Sequence, residues 1–353
     1  MNARESRARR RATLASSLGL GEAVFSTTEE RRVVKAVEDG LERVEAALLR
    51  DMAFADELAD VTSRYLLEAG GKRVRPTLTL LTAQLGDGVD DRVVAAAEAL
   101  EITHLASLYH DDVMDEAHMR RGVPSAQTVW GNSVAILTGD LLFARASKLI
   151  ATLGEDAIRM QADTFERLCL GQLHETIGPQ KGEDPIEHYI QVLADKTGSL
   201  IAAAARIGLL FSEAPSAFER PVEVFGEKVG VAFQLVDDVI DLSAEFEQTG
   251  KAAGTDLRSG VSTLPLLFLR REAETDADAA ALLARIDAGR AHPQELGLDE
   301  AIAELREHSV TARTIAEAHR WAAEAIEALG PLPEGPVKKA LTRFAESVVE
   351  RSS

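Results

Sequence analysis

The sequence predicts an all-α protein, a single-domain helical bundle. Apolar residues recur at three and four spacing almost everywhere from about residue 30 onward, the period of a helix face. Alternating apolar and polar runs, which build half-buried strands, are nearly absent, and alanine and leucine dominate. Gly and Pro cluster at the joins: "EAGGKRVRP" (68–76), "RRGVPSA" (120–126), "IGPQKGEDP" (177–185), "EQTGKAAGTDLRSG" (247–260) and "LGPLPEGP" (329–336).

Taken in order, residues 1–30 read as a flexible basic tail and 31–353 as one all-helical domain. The tail carries five arginines, then a weakly apolar run interrupted by Ser16, Ser17, Gly19 and Gly21 and ended by Glu22. That run is too polar for an export signal, and at most it would make peripheral contact with anionic lipid. Helical periodicity is plainest in 92–112, 133–153, 156–177 and 218–242. No stretch is long and apolar enough to cross a bilayer. No Pro/Ser-rich linker divides the chain, and no short-period repeat is evident.

The charge balance of 39 Lys+Arg against 58 Asp+Glu, a formal −19, argues against a general nucleic-acid partner, which needs a basic face. Cys169 is the one cysteine and cannot form an internal disulfide. A reducing, cytoplasmic setting is expected.

Two acidic clusters carry the chemistry. "LYHDDVMDEAHMRRG" (108–122) holds Asp111, Asp112 and Asp115, and "FQLVDDVIDL" (233–242) holds Asp237, Asp238 and Asp241. On a helix, residues four apart stack, so each cluster repels itself unless a cation neutralises it. Hard oxygen ligands select magnesium, or manganese in its place, and magnesium bridges protein carboxylates to substrate phosphates. Two solvated acidic turns are the bland alternative. Against it, both clusters lie in strongly apolar helices, where unpaired carboxylates are costly.

Basic residues accompany the acids. Arg120 and Arg121 follow the first cluster at a loop expected to end its helix. "GGKRVRP" supplies Lys72, Arg73 and Arg75 on a glycine loop running into a helix, whose N-terminus favours anions. A capping loop would look the same in isolation. Beside two acidic clusters it reads as a second phosphate site, held by arginine forks and a lysine without metal.

This set resembles the trans-prenyltransferases, the head-to-tail isoprenyl diphosphate synthases, over roughly residues 35 to 350. The matching stretches occur in that family's order: "GGKRVRP", "HLASLYHDDVMDEAHMRRG", "GQL", "DKTGSL", "FQLVDDVIDL" and "GKAAGTDLRSGVSTLP". The resemblance implies the isoprenoid synthase fold, an all-α bundle around a deep central cavity. It also implies a homodimer, several Mg²⁺ ions per site, and isopentenyl diphosphate and an allylic diphosphate as substrates.

By the same resemblance Asp111, Asp112, Asp115, Asp237, Asp238 and Asp241 hold metal. Arg120, Lys196 and Lys251 hold the allylic diphosphate, and Lys72, Arg75, His104 and Arg121 hold isopentenyl diphosphate. Thr197, Gln172 and Gln234 line the reacting region, with Lys196, Thr197 and Gln234 as the catalytic set. Many members read "DLxxGKxTLP" where this chain has Val261 in place of the lysine, so one positive contact near the allylic diphosphate is in doubt. His110 is expected to orient a neighbouring aspartate rather than to react.

A metal phosphohydrolase built on His110–Asp111 leaves the second cluster unexplained, and a di-iron site needs a second Glu-x-x-His motif beside Glu101 and His104. A terpene cyclase needs no "GGKRVRP". A non-catalytic partner subunit would typically have lost an acidic motif, and this chain keeps both.

Product length is expected to follow the helix below Asp111. Ala106 and Ser107 are small where a bulky aromatic in this family gives short products, and Tyr109 is expected to point elsewhere. On the Gln172 helix, Phe165 lies about 10 Å and Ile158 about 21 Å further along. A floor at Phe165 gives geranylgeranyl length; a floor near Ile158 gives six or more isoprene units. The small pair favours a medium-to-long all-trans polyprenyl product, with a geranylgeranyl (short-chain) synthase as the alternative.

Overall fold

A computed structural model describes residues 27–243, 253–291 and 297–350. Helices follow one another from Thr28 to Val349, and the strands among the described residues are two of two residues each. The contacts group the chain into two units that interleave in sequence. The first comprises Met1–Glu166, Leu200–Gly226 and Ala328–Ser347; the second comprises Arg167–Ser199, Glu227–Glu327 and Val348–Ser353.

The first unit begins with α1 (Thr28–Asp51), which opens on a capping box: Glu30 N donates to Thr27 Oγ1 at 3.2 Å and Thr27 N to Glu30 Oε2 at 2.8 Å. Then come α2 (Glu57–Glu68), α3 (Val74–Thr82) and α4 (Asp91–Met114). Asp56 and Asp90 cap α2 and α4 through the amides of Ala59 and Val93. α4 is central and buried nearly all round: Val93, Ala96, Ala97, Leu100, Ile102, Leu105 and Tyr109 are each 2% exposed or less. Its small residues, "VVAAAEALEITHLAS", let α1, α3 and α6 (Asn132–Ala151) approach closely.

Between α4 and α6 lies a hairpin, β1 (Met119–Arg120) and β2 (Val123–Pro124), followed by α5 (Ala126–Trp130). The expected loop after the first acidic cluster is therefore a β-hairpin. Arg121 (φ 53°) and Gly122 (φ 78°) both take positive φ, the backbone of a two-residue type I′ turn.

α7 (Glu155–Ile177), α8 (Pro185–Leu193) and α9 (Ser199–Phe211) follow, with a π-helical turn, Ala194–Gly198, joining α8 to α9. Asp184 caps α8, where Pro185 takes the first helical position, and its carboxylate also binds Arg271 at 2.6 Å. Next is α10 (Glu219–Ser243). Within the second unit α11 (Thr255–Ser259), α12 (Leu264–Glu272), α13 (Ala277–Ala291), α14 (Leu298–Glu307) and α15 (Ser309–Ala328) succeed it. The last helix is α16 (Pro336–Val349). The long periodic stretches thus fold as the spacing predicts, with ends within about three residues.

One buried acid makes the first unit pH-sensitive. Glu98 on α4 is 2% exposed and its Oε1 has no partner. Burial, then the carboxylate of Asp51, pushes it up to about 8, opposed by Arg50 and by Arg145 of α6. The folded chain holds a proton that an unfolded glutamate releases near its ordinary 4.5. Stability therefore falls as pH rises from there through about 8. Glu98→Gln is expected to flatten this slope and, because an amide stays neutral without a proton, to stabilise the fold at pH 9 by about 1–3 kcal/mol. Urea unfolding at pH 5, 7 and 9 reads it; parallel slopes in both proteins would contradict it.

Candidate active site

In the first unit, one stripe of α4 stays accessible. His104, Leu108, Asp111 and Asp115, at three and four spacing, are half-buried or exposed while most of their neighbours are buried. Asp115 caps the helix, its amide donating to the Asp111 carbonyl at 2.8 Å. Asp112 turns inward and is fully buried. Its Oδ1 accepts from Arg120 Nε at 2.6 Å, and its Oδ2 has no partner. Burial raises its carboxyl above the ordinary range, with Arg120 opposing.

The glycine loop delivers its cations unequally. Arg73, in the left-handed region at φ 51°, is buried and bound to Glu45 at 2.5 Å and Glu101 at 3.2 Å, so it is a structural residue. Lys72 is exposed. Arg75 has an unpartnered buried Nε, and burial pulls it down to about 10. Arg121 reaches back from the hairpin to the carbonyls of Leu66, at 2.8 Å, and Gly70. Arg120 and Arg121 thus diverge from adjacent positions.

His104 sits amid this cluster. Burial first, then the charges of Arg75, Arg121, Arg120 and Arg73, holds it well below the usual imidazole range, so it is neutral. His110 instead faces α6, with Nε2 3.0 Å from the Ile136 carbonyl and 3.4 Å from Asp140. This corrects the expectation for His110: the aspartates of its own motif are not what it holds, because its position on α4 faces the opposing helix. Tyr109 turns towards α2, donating to the Thr62 carbonyl and accepting from Leu66 N.

The second unit repeats the acidic pattern. Asp237 and Asp241 are half-buried, and Asp238 is buried. Asp238 Oδ2 accepts from Tyr189 Oη at 2.8 Å and Leu264 N at 3.3 Å, and burial pushes its carboxyl well above the ordinary range. Asp241 Oδ2 accepts from Asp256 N at 3.1 Å, which ties the motif to α11. Lys196 and Thr197 ride the π-helical turn, and Lys196 Nζ is 2.5 Å from Glu175 Oε2. Gln172 is buried with Oε1 unpartnered, and Gln234 is half-buried. Lys251 lies outside the described residues, and Val261 is 40% exposed.

Among the described residues, no three His, Cys, Asp or Glu side chains are gathered to hold a metal ion. The inward turn of Asp112 and Asp238 helps explain this: each motif keeps its first and last carboxylates on the accessible side. Such a donor set still fits magnesium, which takes one or two protein carboxylates and completes its shell with water and phosphate. Asp112 Oδ2 is a further unsatisfied oxygen at the first motif.

Ala106 is fully buried and lies about 140° round α4 from Asp111. Ser107 is 6% exposed and closer to the accessible stripe. Phe165 packs on Phe143, ring centroids 4.4 Å apart, and Phe143 in turn on His110 at 5.6 Å. Ile158 is 48% exposed, so within the single chain it closes nothing. Leu108, Tyr189, Glu175 and Asp256 were not anticipated. Only Leu108 had a signal, its place between His104 and Asp111 at helical spacing.

Residues 56–304 match the profile of the polyprenyl synthetase family. The chain belongs to this family. It is a trans-prenyltransferase, and its all-α architecture is the isoprenoid synthase fold. Nonaprenyl diphosphate synthase of Mycobacterium tuberculosis is 43% identical over 341 residues, 96% of this chain and 98% of the relative. A polyprenyl synthase from Caulobacter crescentus, solved with calcium and isoprenyl diphosphate, superposes with TM-score 0.83 at 29% identity, covering 93% of this chain and 100% of that one. A geranylgeranyl pyrophosphate synthase from Corynebacterium glutamicum, also solved with calcium and isoprenyl diphosphate, gives TM-score 0.78 at 38% identity over 93% and 99%. No described helix is long and apolar enough to cross a membrane.

Proposed function

We propose that the protein condenses isopentenyl diphosphate with an allylic diphosphate, head to tail, to give a medium-to-long all-trans polyprenyl diphosphate. The observation that carries this is the cationic cluster of Arg75, Arg121 and neutral His104 beside Asp111. Arg75 Nε is unpartnered, and Arg121 donates to the neutral carbonyls of Leu66 and Gly70, so the cluster calls for an anion. Lys72 completes the set that would hold the isopentenyl diphosphate.

Asp111, Asp112 and Asp115, and Asp237, Asp238 and Asp241, are the residues that would hold Mg²⁺, or Mn²⁺ in its place. The outer pair of each motif is better placed for this than the inward Asp112 and Asp238. When bound, the metal neutralises the charge that grows on a departing diphosphate. Arg120, Lys196 and Lys251 would hold the allylic diphosphate, with Lys196 exchanging Glu175 for a phosphate oxygen. As the allylic C–O bond breaks, a cation forms that water would quench. The Gln172 Oε1 dipole, Thr197 Oγ1 and the Gln234 amide are suited to stabilise it in place of water. The homoallylic double bond attacks, a C–C bond forms, and the proton lost to restore the alkene goes to the departed diphosphate. His104, held neutral, donates to isopentenyl diphosphate without adding charge.

An exposed apolar set on α6, Ile136, Leu137 and Leu141, with Ile158 on α7, supports a homodimer. A non-catalytic partner-subunit role is disfavoured by the retention of both motifs. The specific rival is a geranylgeranyl product, favoured by the Phe143–Phe165 pair as a floor.

Chromatography of products from labelled isopentenyl diphosphate and an allylic primer tests the reading. Products of six or more units are expected, and Ser107→Phe is expected to shorten the main product by several units while primer turnover persists. A main product of four units, lengthened by Phe165→Ala, would establish the shorter reading. A ladder unchanged by Ser107→Phe would contradict a channel past Ser107.

A further inference from the structure

The π-helical turn Ala194–Gly198 is held between two helices with no side chain in the way. At Gly171 of α7 an added Cβ would lie 2.8 Å from the backbone N of Lys196, and at Gly198 it would lie 2.9 Å from the Glu227 carbonyl oxygen of α10. One side chain ties all three segments together. Arg167, one turn before Gly171, places Nε 2.9 Å and Nη2 2.8 Å from Asp195 Oδ1, and Nη2 2.9 Å from Glu227 Oε2. The rest of Asp195 is also engaged: Oδ2 accepts from Gln191 Nε2 at 2.8 Å, and its carbonyl from Ser199 Oγ at 2.5 Å.

A π-helical turn carries one residue more than the α-helix it interrupts, is rare, and is frequently found at functional sites. Relaxation to an α register would turn the residues on one side by about 100°. Lys196 and Thr197 lie on this turn, so its register decides where an ammonium and a hydroxyl point. We propose that Arg167 is a positioning residue. Its fork on Asp195 and Glu227 keeps the turn in the π register and so aims Lys196 and Thr197 at the reacting diphosphate. A guanidinium suits the task because it reaches two carboxylates at once, as an ammonium does less well. The inference rests on the prenyl-transfer reading of Lys196 and Thr197.

The test uses the full chain with saturating divalent metal and both diphosphates. Arg167→Met is expected to lower kcat by about 10–100-fold, the scale of a misplaced reacting group. KM for isopentenyl diphosphate is expected to change by less than about twofold, because its binding residues, Arg75 and Arg121, are not ones Arg167 touches. Amide hydrogen exchange across residues 190–202 is expected to accelerate, and Arg167→Lys to restore part of kcat. If Arg167→Met does not fold, Asp195→Asn, of the same shape, weakens the same contact and is expected to lower kcat several-fold with KM unchanged. A kcat within about twofold of wild type in a folded Arg167→Met, or a loss of kcat with exchange unaltered, overturns the proposal. Lys196→Ala and Thr197→Ala separate the two levels. If both leave turnover intact, the reading of the turn as catalytic fails. If they depress it and Arg167→Met does not, only the clamp fails.

Discussion

Asp111→Asn and Asp237→Asn each lower turnover by about 10²–10⁴-fold at saturating divalent metal, the loss expected when transition-state charge loses several kcal/mol of neutralisation. Both side chains are half-buried, and each is the first carboxylate of its motif. Asn keeps the shape and removes the anion. The change also sheds like-charge repulsion within the motif, so the unfolding free energy is expected to shift by no more than about 1 kcal/mol. Asp112→Asn and Asp238→Asn are expected to behave differently, because these carboxyls serve Arg120 and Tyr189. They cost stability as well as turnover. Steady-state kinetics with parallel denaturant melts reads the contrast, and near-normal turnover in both first-position variants would remove the metal assignment.

Arg121→Ala raises the Michaelis constant for isopentenyl diphosphate more than that for the allylic primer, and Arg120→Ala does the reverse, each by about tenfold or more for one lost charge-assisted contact. The type I′ hairpin is the physical reason. Its turn begins at Arg121, so the two neighbours leave the backbone in different directions, Arg120 to Asp112 and Arg121 to the Leu66 and Gly70 carbonyls. Arg120→Ala also strips the buried Asp112 of its hydrogen-bonded cation, leaving only the charge of Arg121 to oppose burial, at a cost of about 1–3 kcal/mol. The cost is limited because Asp112, already raised by burial, can take up a proton. Below that raised pKa the variant recovers part of its loss; above it the loss is complete. Arg121→Lys checks that the first effect is one of charge geometry. Equal changes in both Michaelis constants would refute the split.

Much of this was legible because it is local. Helical periodicity placed α4, α6, α7 and α10 to within about three residues, and glycine with proline placed most of the joins. The acidic motifs stood out for the same reason: four-residue spacing puts Asp111 with Asp115 and Asp237 with Asp241. What spacing could not decide was the middle aspartate, about 100° round the helix from the first, whose direction depends on what packs there. Tyr189 and the Leu264 amide claim Asp238, and neither is near it in sequence. Arg73 and Arg75 look equivalent in "GGKRVRP", yet Glu45 and Glu101 make one of them structural. The hairpin lacked an Asn-Gly signal, since its turn is Arg121–Gly122. The π-helical turn has no period of its own within five residues. Ile158 lies seven residues from Phe165, on the same face of α7, and only the packing shows that this face reaches solvent.

Diphosphate release measured alongside incorporation of labelled isopentenyl diphosphate tests the central claim most directly. The account predicts one diphosphate released per isopentenyl unit incorporated. Release requires the allylic primer, the isopentenyl unit and a divalent metal together, and it stops on chelation and resumes when Mg²⁺ is restored. Release from the primer alone at an undiminished rate, or no incorporation with Mg²⁺ and both substrates present, would contradict it.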